Sequence, residues 1–277
     1  MDTNKNTAAL RYHSDPRPGK IEVIPTKPYH TQEELALAYS PGVAAPALAI
    51  AENPENAYRY TNKGNTVAVV SNGSAVLGLG NIGPLASKPV MEGKSMLFKI
   101  FGGIDAFDIE VDATDTESFI RTVRAIAPTF GGINLEDIKA PECFEIDRRL
   151  QEELDIPVMH DDQHGTAVIV AAALINAMKI TGRNAERQRV VINGAGAAAI
   201  ACAELLHQIG IRPENTVMCD SKGVVNRYRT DLNAYKQIFA TSRRIATLAE
   251  AIDGADIFIG VSKADVLTPE MLRSMTD

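Results

Sequence analysis

Gly194-Ala195-Gly196-Ala197-Ala198-Ala199 follows the β-rich run Val190-Val191-Ile192 and opens a segment rich in Ala and Leu. Glycines at such a strand-to-helix turn let the backbone approach a pyrophosphate, whose charge meets the helix N-terminus. The next apolar run ends at Asp220, 26 residues after Gly194, where an acidic side chain would meet a ribose hydroxyl. Ser221 and Lys222 come next, and a hydroxyl beside a cation favours the extra phosphate of NADP over NAD. A plain strand–helix turn and a solvated lysine would use the same residues without a ligand. Gly78-Leu79-Gly80-Asn81-Ile82-Gly83 is a second, literal GxGxxG, but Pro84 follows it and the helix comes later. We read Gly78, Gly80, Asn81 and Gly83 as a backbone loop able to offer amides to phosphate or a substrate carboxylate. The plainer reading is a glycine turn after a hairpin.

Two acidic pairs, Glu136-Asp137 and Asp161-Asp162, each stand just beyond a predicted strand, where open α/β sheets place their ligands. Carboxylates without cysteine suit a hard cation such as Mg²⁺ or Mn²⁺. Neighbours on a helix do not face one another, so Glu136 and Asp137 could share an ion only from a turn. Only one of Asp161 and Asp162 should point at it, and helix capping or solvation would serve the same four residues. His160 and His164 flank the second pair and are read as orienting or structural. Lys88, Lys94 and Lys99 fall on one helical stretch and Lys139 follows the first acidic pair. A lysine general base must lose about 3 pKa units, roughly 4 kcal/mol, and a nearby divalent cation with desolvation can supply that. Spacing does not choose among the four.

The elements that must position these residues alternate between strand and helix. Residues 1–30 read as an extended, Pro- and Gly-rich arm, and Thr31 with Glu34 forms a capping box for a helix that ends before Ser40-Pro41-Gly42. Residues 66–80 read as two strands about an Asn72-Gly73 turn. Helices are expected over 87–101, 117–127 and 141–154, and strands over 107–111, 132–135 and 156–159. The apolar stretch 166–180 is expected to be a buried helix leading into a second alternating series. There, strands fall at 189–193, 216–220 and 257–261, with helices at 197–209, 231–240 and 247–252 between them. This is an α/β pattern: an N-terminal substrate and metal domain over 1–163, then a Rossmann-type doubly wound domain over 164–277. Only three strands of that second series are reached by Asp277, so it reads as incomplete at its C-terminus.

Length and charge bound the rest. The 277 residues suit two domains, and 28 basic against 35 acidic residues give a net charge of −7, which argues against broad binding to nucleic acid or anionic lipid. Cys143, Cys202 and Cys219 stand far apart and read as buried apolar residues in a reducing compartment. No run of 18 apolar residues and no apolar signal core occur, so the expected location is cytoplasmic.

Taken together, LALAYSPGVAAP, VLGLGNIGPLASKPVMEGK, FGGINLEDI, PVMHDDQHGTA, INGAGAAA and IFIGVS resemble the bacterial malic enzymes, in particular the NADP-dependent type, over nearly the whole chain. The resemblance implies oxidative decarboxylation of L-malate to pyruvate and CO₂ with reduction of NADP, assisted by Mg²⁺ or Mn²⁺. It implies Tyr39 as general acid, Lys94 as general base, Asp161 as an acidic neighbour, and Glu136, Asp137 and Asp162 as metal ligands. It also implies that Gly194, Ala195, Gly196, Ala197 and Ala198 hold the NADP phosphates, with Ser221-Lys222 selecting NADP, and that the protein is a homodimer or higher homo-oligomer. Some relatives of this type continue into a phosphotransacetylase-like domain. Larger eukaryotic members carry an arginine for the substrate carboxylate where Ala75 stands here, so that contact must come from elsewhere. An amino acid or folate dehydrogenase would share the fold class without needing a metal, and a non-catalytic NADP-binding fragment would bind cofactor without turnover.

Overall fold

A computed structural model describes residues 3–113 and 115–276. The chain divides into two units, Met1–Ile138 with Ile146–Met159, and Lys139–Glu145 with His160–Asp277. In chain order the helices and strands are α1 (Thr3–Ser14), α2 (Gln32–Ala38), α3 (Ala44–Glu52), α4 (Ala57–Tyr60), β1 (Thr66–Ser71), α5 (Pro84–Gly102), β2 (Asp105–Glu110), α6 (Thr116–Ile126), β3 (Gly132–Leu135), α7 (Glu142–Glu153) and β4 (Val158–His160). They continue as α8 (Asp161–Thr181), β5 (Val190–Asn193), α9 (Ala197–Gln208), β6 (Thr216–Asp220), β7 (Gly223–Val224), α10 (Ala234–Ile238), α11 (Leu248–Ile252), β8 (Ile257–Gly260) and α12 (Pro269–Ser274).

The first sheet has the order β2-β1-β3-β4, with β1 parallel to both β2 and β3. Strand β1 is central, so Ala68, Val69 and Val70 are fully buried and the strand reads as an unbroken apolar run. Helix α5 covers β1 and β2 through Met91, which packs with Val69, Ala106 and Phe98. Helix α6 starts at Asp115, whose side chain accepts the Ser118 N–H at 2.9 Å, and it buries Phe119, Ile120 and Val123 on one face.

Three expectations are corrected here. Residues 66–80 do not form a hairpin, because β1 is already hydrogen-bonded on both edges and has no side left for an antiparallel partner. The Asn72-Gly73 turn instead begins a loop that returns Ile82 and Gly83 N–H groups to the Gly73 carbonyl. Gly73 has φ 63°, and a Cβ there would lie 2.1 Å from the Gly83 oxygen. The arm over 1–30 is not extended throughout, since the Ala-, Leu- and Arg-bearing start folds as α1. Helix α8 begins at Asp161, five residues before the expected start, because Asp161 and Asp162 suit a first helical turn. Nor is it buried all round. Gln163, Ala167, Ala171 and Leu174 form one buried stripe, α8 packs on α9, and Val168, Ile169 and Ile180 are exposed. By length and composition α8 is apolar enough to cross a membrane.

The second sheet has the order β7-β6-β5-β8, with β5 parallel to β6 and β8 and the two-residue β7 antiparallel to β6. Strand order reverses at β5, between β6 and β8, which is where doubly wound sheets open a crevice. Val190, Ile192, Ala199, Ile200, Leu206 and Met218 join strand and helix into one core. Helix α11 is held by the Thr247–Glu250 capping box.

Candidate active site

In the first unit, β3 ends at Leu135 and the chain turns at once. Glu136 N–H donates to the Val70 carbonyl, and Asp137 takes φ 53°, the left-handed region that costs an ordinary residue strain. Asp137 is held there by its own carbonyl, which accepts Ala75 N–H at 2.9 Å. Successive residues in such a turn can aim both carboxylates the same way, which a strand or helix would forbid. Both are buried. Glu136 Oε2 accepts a 2.9 Å bond from Asn134 Nδ2, while Asn134 Oδ1 is buried and finds no partner among the described residues.

Helix α5 presents Lys94 to this turn, with Nζ 3.2 Å from Glu136 Oε1. The other lysines are placed differently. Lys88 meets Asp108 at 2.5 Å, Lys99 meets Asp105 at 2.6 Å, and Lys139 meets Glu142 at 3.0 Å on an exposed face. Lys94 is thus paired with a buried acid of the Glu136-Asp137 turn. Gly78, Gly80 and Gly83 each take φ near 75–79°, and nothing would meet a Cβ at any of them. The Gly80 N–H donates to the Val76 carbonyl at 2.8 Å and the Gly83 N–H to the Gly73 carbonyl at 3.2 Å, so these two amides shape the loop and are not offered to a ligand, whereas Gly78 and Asn81 N–H make no main-chain bond among the described residues. Tyr39 caps α2, is 77% exposed, and its phenol makes no hydrogen bond among the described residues.

In the second unit, His160 is fully buried at the end of β4, and its Nε2 lies 3.9 Å from Asp162 Oδ2. Asp161 and Asp162 follow β4 directly and form the first turn of α8. Gly165 has a definite job: a Cβ there would sit 2.5 Å from Asp161 Oδ1, so glycine leaves room for that carboxylate over the first turn of α8.

Gly194 has φ 143°, and a Cβ would strike the Val261 carbonyl at 2.8 Å. Gly196 caps α9 with no side-chain hydrogen bond, and a Cβ there would meet nothing, so the first N–H groups of α9 face open space. They open on a cavity of about 730 Å³ also lined by Asp220, Ser221, Lys222 and Lys236. Asp220 accepts two bonds from Arg229, at 2.8 and 3.1 Å, one from Lys236 Nζ at 2.8 Å and one from Lys222 N–H at 2.9 Å. Burial pushes the Asp220 carboxyl up, but these donors outweigh it and hold the group at about 2. Lys222 Nζ turns to Asp231 at 2.7 Å. Arg229 and Lys236 were missed from sequence because the dinucleotide fingerprint stops at the acidic residue. The signal available was the cluster of cations within 16 residues after Asp220.

Buried carboxylates beside a lysine, and a glycine-rich helix start opening on a cationic cavity, define an α/β protein with a Rossmann-type dinucleotide-binding domain. Residues 18–118 and 113–151 match the malic enzyme N-terminal domain, and residues 163–277 match the malic enzyme NAD-binding domain. The chain is 59% identical over its full length to the NADP-dependent malic enzyme of Halomonas elongata, covering 66% of it. It is 57% identical over 97% of its length to the NAD-dependent malic enzyme of Rhizobium meliloti, covering 35% of that protein. Among solved structures, the malic enzyme of Pyrococcus horikoshii superposes with a TM-score of 0.93 at 45% identity, over 99% of this chain and 66% of that one. The chain belongs to the malic enzyme family. It spans about two thirds of the length of the Halomonas relative and about a third of the Rhizobium one.

Proposed function

We propose that the chain oxidises and decarboxylates L-malate to pyruvate and CO₂, with NADP as hydride acceptor. The observation that carries this reading is the Lys94–Glu136 contact at the turn after β3, in a chain of this family. Glu136, Asp137 and Asp162 are assigned to a divalent cation, Mg²⁺ or Mn²⁺. The donor set fits a hard ion: three carboxylates, no sulfur, two of them buried, with the orphaned Asn134 Oδ1 beside them. When bound, the cation supplies Lewis-acid polarisation of substrate oxygens and the dinucleotide accepts a hydride.

The chain's own residues do the rest. Lys94 takes the proton of the C2 hydroxyl as C2 is oxidised, and Tyr39 returns a proton to C3 after CO₂ departs. Asp161 stands beside the ligand Asp162 as an acidic neighbour. The amides of Gly78 and Asn81 serve the substrate carboxylate or a phosphate, in the absence of an arginine at Ala75, while Gly80 and Gly83 hold the loop through their own main-chain bonds. Gly194, Ala195, Gly196, Ala197 and Ala198 hold the pyrophosphate.

The preference for NADP rests on Asp220. With Arg229 and Lys236 already on its carboxylate, it no longer presents a bare negative charge to a 2′-phosphate, and Ser221 and Lys222 adjoin it. A homo-oligomer in the cytoplasm completes the reading. The test is reduced-nicotinamide absorbance with L-malate, Mn²⁺ and NADP⁺, repeated with NAD⁺ and with EDTA. Metal-dependent reduction favouring NADP⁺ is the expected result. Turnover that survives EDTA would remove the metal assignment, and equal rates with NAD⁺ would remove the cofactor preference.

A further inference from the structure

Three lysines, Lys222, Lys236 and Lys263, line the cavity at the start of α9, and two of them are already matched. Lys222 Nζ meets Asp231 at 2.7 Å, and Lys236 Nζ meets Asp220 at 2.8 Å. Lys263 is exposed and pairs with no carboxylate among the described residues, not even Asp265 two residues on. It lies beyond β8, well past the acidic residue at which the dinucleotide fingerprint stops.

The packing of β8 on β5 fixes where Lys263 starts. Val261 N–H donates to the Asn193 carbonyl at 3.0 Å, and Asn193 Nδ2 donates to Ser262 Oγ at 2.8 Å. The Val261 carbonyl lies so near Gly194 that a Cβ there would strike it at 2.8 Å. Lys263 therefore leaves the sheet two residues after a backbone contact with the first glycine of the turn. Beyond that glycine, Ala195 and Gly196 N–H find no acceptor among the described residues, and both residues line the same cavity. Two unbonded amides and an unmatched ammonium meet at the carboxyl ends of adjacent parallel strands. This is a donor set for an anion with oxygens on more than one centre, which a pyrophosphate supplies and which fits a dinucleotide.

We propose that Lys263 is a pyrophosphate-binding residue. Its ammonium pairs with the diphosphate of the dinucleotide from the β8 side, while the amides of the glycine turn hold it from the α9 side. The proposal rests on the dinucleotide reading above and adds a residue to it. The diphosphate is common to NAD and NADP, so Lys263 contributes affinity to both and selectivity to neither, which separates its role from that of Lys236. An exposed ammonium without a partner adds little to the fold, so its removal tests binding alone.

The test is titration calorimetry on the full chain with NADP⁺, NAD⁺, ADP-ribose and 2′-AMP. The first three carry the diphosphate, and 2′-AMP carries a 2′-phosphate without it. Lys263→Gln should weaken the first three about tenfold, by the same factor for each, and leave 2′-AMP and the melting temperature unchanged. Lys263→Arg, which keeps the charge, should retain most of the affinity. Added salt should weaken ADP-ribose binding more steeply in the parent than in Lys263→Gln, a difference that a merely structural lysine would not produce. Parent-like affinity of Lys263→Gln for ADP-ribose overturns the proposal. So does a loss confined to NADP⁺ and 2′-AMP, which moves the lysine to the 2′-phosphate. A parent chain that binds none of the four overturns the dinucleotide reading itself, and is told apart from the other two outcomes because in those the parent binds.

Discussion

Lys94 and Lys236 face acids in different units, and their removal should separate two functions. Lys94→Ala should lower malate oxidation about 10²–10⁴-fold, the range for a lost general base, while Mn²⁺ binding measured by calorimetry stays within a few-fold. Loss of Mn²⁺ binding together with activity would make Lys94 a structural partner of Glu136 and not a base. Lys236→Gln leaves Asp220 with Arg229 and the Lys222 N–H and restores part of its negative field. A charge-assisted contact is worth about 1.5–3 kcal/mol, so the KM for NADP⁺ should rise about tenfold to a hundredfold with little change for NAD⁺. Equal effects on both cofactors would remove Lys236 from selectivity. Asp220 itself should remain ionised throughout the working range. Its carboxyl is held at about 2 in the fold, so its stabilising contribution is full above the ordinary value of 3.8 and is lost only as pH falls toward 2.

Helix α5 is tied to β2 by a cluster outside the candidate site: Lys88 reaches Asp108, Glu110 and Glu92. Burial, then the hydrogen bond and charge of Asp108, push the Glu110 carboxyl up from 4.5 to about 7, against the pull of Lys88. The folded chain therefore holds this proton more tightly than the unfolded one. Its contribution is full below 4.5 and is lost as pH rises through about 7. Melting temperatures between about pH 5 and pH 8 should fall more in the parent than in Glu110→Gln; parallel profiles would mean that Glu110 is not the group responsible. At the next turn, Gly73→Ala should destabilise by about 1–3 kcal/mol, from positive φ and the clash with the Gly83 carbonyl, as read by denaturant midpoint. Much of this element order was legible. Strands β3 and β6 fall at their expected residues, and α2 carries the expected capping box, because local patterns set those ends. The false hairpin at 66–80 shows the limit: alternation and Asn-Gly describe a turn, but only the pairing of β1 on both edges decides where the chain runs after it. The Glu136-Asp137 turn was legible as a requirement, whereas the left-handed φ of Asp137 depends on Ala75 far back along the chain, and the cations on Asp220 lie just past the point where the dinucleotide fingerprint stops.

All three cysteines, Cys143, Cys202 and Cys219, belong to the second unit and are buried. Burial pushes the Cys202 thiol up to about 11 and, with the Asp220 charge, the Cys219 thiol up to about 12. Thiol labelling under native conditions thus reports opening of that unit alone. NADP⁺ at about 100 times its Kd should slow labelling of Cys202 and Cys219 about 100-fold, and an unchanged rate would place the cofactor elsewhere. Asp137 carries a different lesson for the chain as a whole. Its left-handed backbone is a conformation that asparagine and glycine accept more readily, so an uncharged residue there should leave the melting temperature level or raise it while Mn²⁺ affinity drops. If Asp137 is the metal ligand proposed above, selection for a stable fold and selection for a charged ligand pull this position in opposite directions. A lineage freed from the need for metal would drift at residue 137 early, and its descendants would be sturdier proteins that had forgotten their chemistry.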